Sequence, residues 1–95
     1  MTIDDLRARI DVIDEQLVAL LNTRAACAVE IGRIKKAQGI QVYQPDRETA
    51  VVRHVRAMTE RLGGPLTGEA IGRLFDRIID EARQLEVTSA MAERE

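Results

Sequence analysis

IDDLRARIDVIDEQLVALLNTRAACAVEIGRIKKAQ, residues 3–38, is the stretch on which the fold turns. Ile3, Leu6, Ile10, Ile13, Leu17 and Leu20 step by three and four residues, the repeat of one face of an α-helix. The next step lands on Arg24, and the series resumes at Cys27/Ala28, Ile31 and Ile34. No proline breaks the run. Thr2 can cap the start, with Asp5 as its acidic partner in the first turn, and Gly39 is a natural stop. Gly32 reads as a tolerated weak point, costing about 1 kcal/mol relative to alanine. The pattern predicts one helix over about residues 3–38 that carries a cation on its own apolar seam.

The rest of the chain divides around it. GIQVYQP, residues 39–45, reads as a connector, and Pro45 suits the first turn of a new helix. That helix is expected at about 46–62, with Glu48, Val51, Val52, Val55, Met58 and Leu62 on one face. GGP at 63–65 ends it, and Thr67 can cap a third helix over about 67–87. The third stripe is Ile71, Leu74, Phe75, Ile78, Ile79, Ala82 and Leu85/Glu86. The polar tail TSAMAERE, residues 88–95, is expected to fray. The expected class is all-α, three helices in one small domain.

Composition narrows the function classes. The 95 residues include one Phe, one Tyr and no Trp, so the core must come from Leu, Ile, Val and Ala. A formal charge of −2, with bases interspersed among acids, gives no electrostatic case for nucleic acid or an anionic membrane. No apolar run approaches the roughly 18 residues of a membrane span, and the acidic N-terminus lacks a signal peptide's apolar centre. Cys27 is the single cysteine, which fits a reducing cytoplasm. Neither Cys27 nor His54 has partners at metal-ligand spacing. Nothing resembles a phosphate-binding loop or a nucleophile with its base, and no cofactor is implied.

Length carries a second expectation. About 36 helical residues at 1.5 Å each span roughly 54 Å. A compact chain of this size has a radius of gyration near 12 Å and a diameter of roughly 30–35 Å. The first helix must overhang its own fold, leaving apolar surface in water. A second copy covering the overhang, in an intertwined homodimer, is the expected remedy.

Charged residues then stand out by position. A guanidinium on the seam needs an anion. For Arg24 that anion is either an internal acid, Asp14 or Glu30, or a ligand carboxylate, unless the side chain snorkels to the edge of the seam. Lys35 lies 11 residues on, almost three whole turns, so it faces nearly the same way about 16 Å along the axis. Two such cations can bracket a small dicarboxylate, or Lys35 is a solvated surface lysine. Arg7 projects in a related direction but about 42 Å from Lys35, so it can join the same site only from a partner chain. Otherwise it is an ordinary surface arginine. Arg47 and Glu48 open the second helix, with Glu48 facing inward or serving the helix dipole. Glu86 continues the apolar line of the third helix. There desolvation favours a neutral acid that can donate a hydrogen bond, unless the helix end is already wet.

In this order these residues resemble the all-helical chorismate mutases. The likeness covers about residues 3–87 and rests on LRARIDVIDEQLVALLNTRAACAVEIGRIK, on VYQPDRE, on LFDRIIDEARQLE and on the 12-residue step from Lys35 to Arg47. The resemblance implies an intertwined dimer of three-helix chains that turns chorismate into prephenate by a [3,3] rearrangement without a cofactor. It implies that Arg24 and the partner chain's Arg7 clamp two carboxylates, and that Lys35 donates to the ether oxygen. Arg47 and Glu48 orient the substrate, Glu48 accepting from its hydroxyl. Three positions depart from common family residues. Glu86 stands where many relatives carry Gln, so it assists only when protonated. Ala82 stands for a serine, so one substrate contact is missing. Gln44 stands for an aspartate, which leaves open 4-amino-4-deoxychorismate as a substrate. Elimination of pyruvate from isochorismate, dependence on a shikimate-pathway partner enzyme, and a non-catalytic helical dimerisation module are the other readings.

Overall fold

A computed structural model describes residues 1–92. All regular structure in it is helical: α1 is Ile3–Gln38, α2 is Pro45–Leu62 and α3 is Gly68–Ala92. The boundaries follow from local chemistry. At the start of α1 the Thr2 hydroxyl accepts from the Asp5 N–H at 3.1 Å, and the Asp5 carboxylate accepts from the Thr2 N–H at 3.0 Å. These are the two reciprocal bonds of a capping box. The Thr2 backbone N–H, with its hydroxyl second, holds the Asp5 carboxyl below its ordinary value. Gly39 ends α1 at φ 70°, ψ 23°, a left-handed conformation that costs glycine nothing. The Ile40 N–H then closes on the Lys35 carbonyl at 2.8 Å.

Pro45 is itself the first residue of α2, one earlier than expected, because its missing N–H and fixed φ suit that position. Thr67 caps α3, its hydroxyl accepting from the Ala70 N–H at 3.1 Å. The end of α3 corrects the expectation of a helix stopping near 87. It continues to Ala92, through part of the tail expected to fray. No glycine or proline follows Gly72, and alanine, methionine and glutamate all favour helix. The remaining tail residues, 93–95, lie outside the described residues.

α3 is the centre of the arrangement. α1 and α2 each pack on it and, among the described residues, not on each other. Ala28 of α1, Val55 of α2 and Ile79 of α3 form the buried apolar core. α1 and α3 approach closely at Gly32. A Cβ there would lie 2.9 Å from both the Glu86 Cα and its carbonyl oxygen. Gly32 is therefore where two backbones meet, rather than a tolerated weak point.

The rest of α1 has nothing to pack on. The described chain measures 54 × 27 × 15 Å with a radius of gyration of 16.5 Å, well above the value of about 12 Å for a compact chain of this length. Leu6, Ile10, Ile13, Leu17 and Leu20 on the overhanging half are exposed, Leu20 to 67%.

Candidate active site

Because α1 and α2 both lie on α3 without touching, a gap remains between them with α3 as its floor. A cavity of about 430 Å³ occupies it, within the range of small-molecule sites. It gathers Arg24 and Lys35 from α1, Arg47 and Glu48 from α2, Ala82 and Glu86 from α3, and Gln44 from the connector. Seven of the eight residues singled out in the sequence thus line one space. The eighth, Arg7, is exposed on the overhanging half of α1 and is not among them. Cys27, to which no role was given, also lines the cavity. His54 is exposed elsewhere on α2.

The cations differ in how they are satisfied. Lys35 is held twice: its Nζ donates to the Val42 carbonyl at 2.8 Å and to the Glu86 Oε2 at 3.0 Å. An ammonium has three N–H groups, so one remains. The Glu86 carboxyl, next to the Gly32 contact, meets Lys35 because α1 and α3 approach so closely there. In this state Glu86 accepts a hydrogen bond rather than donating one. Arg24 is half-buried. Neither of its expected internal partners engages it. Glu30 pairs with Arg33 at 2.7 Å, and no described residue forms an ion pair or hydrogen bond with Arg24. Arg47, more exposed, is equally unpaired among the described residues.

The sequence reading missed Arg83. From α3 its Nε and Nη2 donate to the two oxygens of Glu48, each at 2.9 Å, and Nη2 also donates to Asp80 at 2.8 Å. Its guanidinium lies 5.3 Å from the centroid of the Tyr43 ring, within cation–π range. Glu48 first, then Asp80, raise the Arg83 pKa further above its already high ordinary value. The Asp80–Arg83 spacing is a visible helical pair, but Glu48 lies 35 residues away and nothing local announces it.

The charge balance sets this cavity apart. Arg24, Lys35, Arg47 and Arg83 line it against Glu48 and Glu86, a surplus of two positive charges. A larger open groove of about 780 Å³ lies on the other side of Glu48. Its charged residues are Arg53 and Arg56 against Glu48, Glu60, Asp76 and Asp80, so it repels a dianion that the smaller cavity attracts. Among the described residues no cluster could hold a metal ion, and no helix is long and apolar enough to cross a membrane.

Comparison with known proteins agrees with this architecture. The bifunctional chorismate mutase/prephenate dehydratase of Stutzerimonas stutzeri is 38% identical over 86 residues, which are 85% of this chain and 23% of that protein. That of Neisseria gonorrhoeae is 39% identical over 89 residues, 90% of this chain and 23% of its own length. The T-protein of Haemophilus influenzae is 33% identical over 78 residues, 82% of this chain and 20% of its own. The chain thus spans about a quarter or less of these curated relatives. The crystal structure of chorismate mutase from Helicobacter pylori in complex with prephenate superposes with a TM-score of 0.79 at 28% identity, covering 90% of each chain. A family profile described as chorismate mutase type II matches residues 6–87, and the chain belongs to that family.

Proposed function

We propose that this chain catalyses the rearrangement of chorismate to prephenate, as an intertwined dimer with shared active sites. The observation that carries the reading is the cavity between α1 and α2, whose two surplus cations, Arg24 and Arg47, have no protein counter-ion among the described residues. A dianionic substrate supplies negative charge that the cavity lacks.

In this reading Arg24 and the partner subunit's Arg7 hold the two carboxylates. Such clamping folds the flexible enolpyruvyl arm over the ring and confines the substrate to the reactive conformer. The reaction needs no proton removed and no nucleophile attached. What changes is charge, which grows on the ether oxygen as its bond breaks. Lys35 meets that charge with its remaining N–H. The bonds to Val42 and Glu86 hold its Nζ in place beforehand, so little reorganisation is needed at the transition state. Arg47 orients the substrate, and Glu48 accepts from its ring hydroxyl. Glu86, when protonated, is a second donor to the ether oxygen. Ala82 contributes shape, and Gln44 stands beside the ring with a neutral amide.

The exposed apolar half of α1 supports the dimer. A second copy laid antiparallel covers Leu6, Ile10, Ile13 and Leu17, and it carries Arg7 toward a site about 42 Å from the same chain's own Arg7. The relatives' names join the mutase to a prephenate-consuming dehydratase in one protein, which suits a chain that works beside a pathway partner in the cytoplasm. The deciding experiment follows loss of chorismate absorbance with identification of the product, repeated with 4-amino-4-deoxychorismate. Absence of turnover, together with an unchanged melting temperature in the presence of a chorismate transition-state analogue, would leave only a dimerisation module. An analogue binding the folded state at 100 times its Kd stabilises it by about 2.7 kcal/mol.

A further inference from the structure

We propose that Arg83 sets what the cavity accepts beside Glu48: a neutral hydroxyl on the substrate ring rather than an ammonium. The inference rests on the mutase reading and deepens it, since chorismate carries a hydroxyl where 4-amino-4-deoxychorismate carries an amine that is protonated at neutral pH.

An ammonium entering a site needs a carboxylate whose charge is not already spent. The cavity offers two acids, Glu48 and Glu86, and both are engaged. Glu86 accepts from Lys35 at 3.0 Å. Glu48 accepts from Arg83 through both oxygens at 2.9 Å, the forked geometry in which arginine binds carboxylate best. Each oxygen keeps acceptor capacity for one more proton, enough for a hydroxyl. The charge is another matter. The Arg83 cation faces any ammonium drawn to Glu48, and the like-charge repulsion discriminates against it.

Arg83 is held in that place. Asp80 anchors Nη2 at 2.8 Å and Tyr43 lies against the guanidinium. Asp80, 2.8 Å from Nη2, offsets part of that charge, but it lines the opposite groove and not this cavity, so a ligand beside Glu48 lies nearer to Arg83 than to Asp80. Gln44, which lines the cavity with Glu48, is uncharged. The remaining cations, Arg24 and Arg47, add to the repulsion.

Arg83 is thus a positioning residue with a specific signature. The test measures kcat/KM for chorismate and for 4-amino-4-deoxychorismate with the wild-type chain, Arg83→Met and Arg83→Lys, each checked for a cooperative melt. The wild type is expected to prefer chorismate. Arg83→Met, which keeps an unbranched apolar stem and loses the charge, should shift the ratio toward the amino substrate by about tenfold or more. Arg83→Lys keeps a cation but not the fork, so it should retain most of the preference while raising KM for chorismate. A ratio that stays within about twofold of wild type in a folded Arg83→Met would overturn the assignment, and so would equal loss of preference in both variants. Failure of the wild type to turn over either substrate would instead sink the mutase reading itself.

Discussion

Replacing Gly32 by alanine separates a helix-propensity argument from a packing argument, because the two predict opposite signs. In a helix interior, alanine is more favourable than glycine by about 1 kcal/mol, so propensity alone expects Gly32→Ala to stabilise. The contact with α3 says otherwise. The added Cβ would sit 2.9 Å from the Glu86 Cα and carbonyl oxygen and 3.1 Å from its Cβ, whereas ordinary contact begins at 3.4 Å. Two of those atoms are backbone and cannot rotate away. The helices must separate by about 0.5 Å, and overpacking of this kind costs about 1–3 kcal/mol. Net of propensity, the variant should be less stable by about 0–2 kcal/mol.

The rate reports the same strain. Misplacement of catalytic groups by 1 Å can cost about a hundredfold. Half that displacement at Glu86, which anchors Lys35, should lower kcat by about tenfold. Gly72 is the internal control. The nearest atoms to a Cβ there belong to the flexible Arg56 side chain and a Val52 methyl, at 3.5 Å and beyond, so Gly72→Ala should stabilise by about 1 kcal/mol. Chemical denaturation of both variants at matched protomer concentration, with kcat measured alongside, decides the matter. A Gly32→Ala protein more stable than wild type by about 1 kcal/mol and equally active would refute the close approach.

Further outcomes follow from the site. Lys35→Ala should lower kcat by about a hundredfold or more through loss of one donor to the ether oxygen; a change under about fivefold would remove Lys35 from that role. Glu86→Gln keeps an oxygen to accept from Lys35 and adds a permanent N–H donor of similar shape, so kcat should hold or rise; a fall of about tenfold or more would contradict the donor role. Arg7→Ala and Arg24→Ala chains, each impaired alone, should recover activity when mixed and re-equilibrated, since one of the two sites in a heterodimer is then intact. Mixing without recovery would place Arg7 outside the site. The Asp5 carboxyl is held below its ordinary value chiefly by the Thr2 N–H. Its contribution to the α1 cap is therefore present at neutral pH and disappears as pH falls through that lowered value, which a nuclear magnetic resonance titration of Asp5 can follow.

The helices were legible because each is written in local terms. The three-and-four stepping of apolar residues in α1, the reciprocal Thr2–Asp5 cap and the left-handed Gly39 all act within a few residues of one another. The overhang was legible too, because a helix of known rise cannot fit inside a compact chain of 95 residues. The C-terminal end of α3 was less so. A polar composition suggested fraying, but polarity does not end a helix when no glycine or proline stops it.

The cavity's lining was legible where a charge violated its own helix's pattern, and illegible where the determinant lay on another helix. Arg24 and Lys35 could be paired through the rise of one helix. Glu48 and Glu86 stood out because they continued apolar stripes. Arg83 lies beside Ala82 and satisfies Asp80 one turn back, so to a local reading it is an ordinary surface pair. Its bond to Glu48 exists only because α2 and α3 pack together, and no spacing rule spans those 35 residues. Gly32 was misread for the same reason. Within α1 it is a flaw in propensity; against α3 it is the gap that admits Glu86. The same packing explains both errors. α3 supplies a backbone to one neighbour and a guanidinium to the other, and by keeping α1 and α2 apart it leaves the cavity between them.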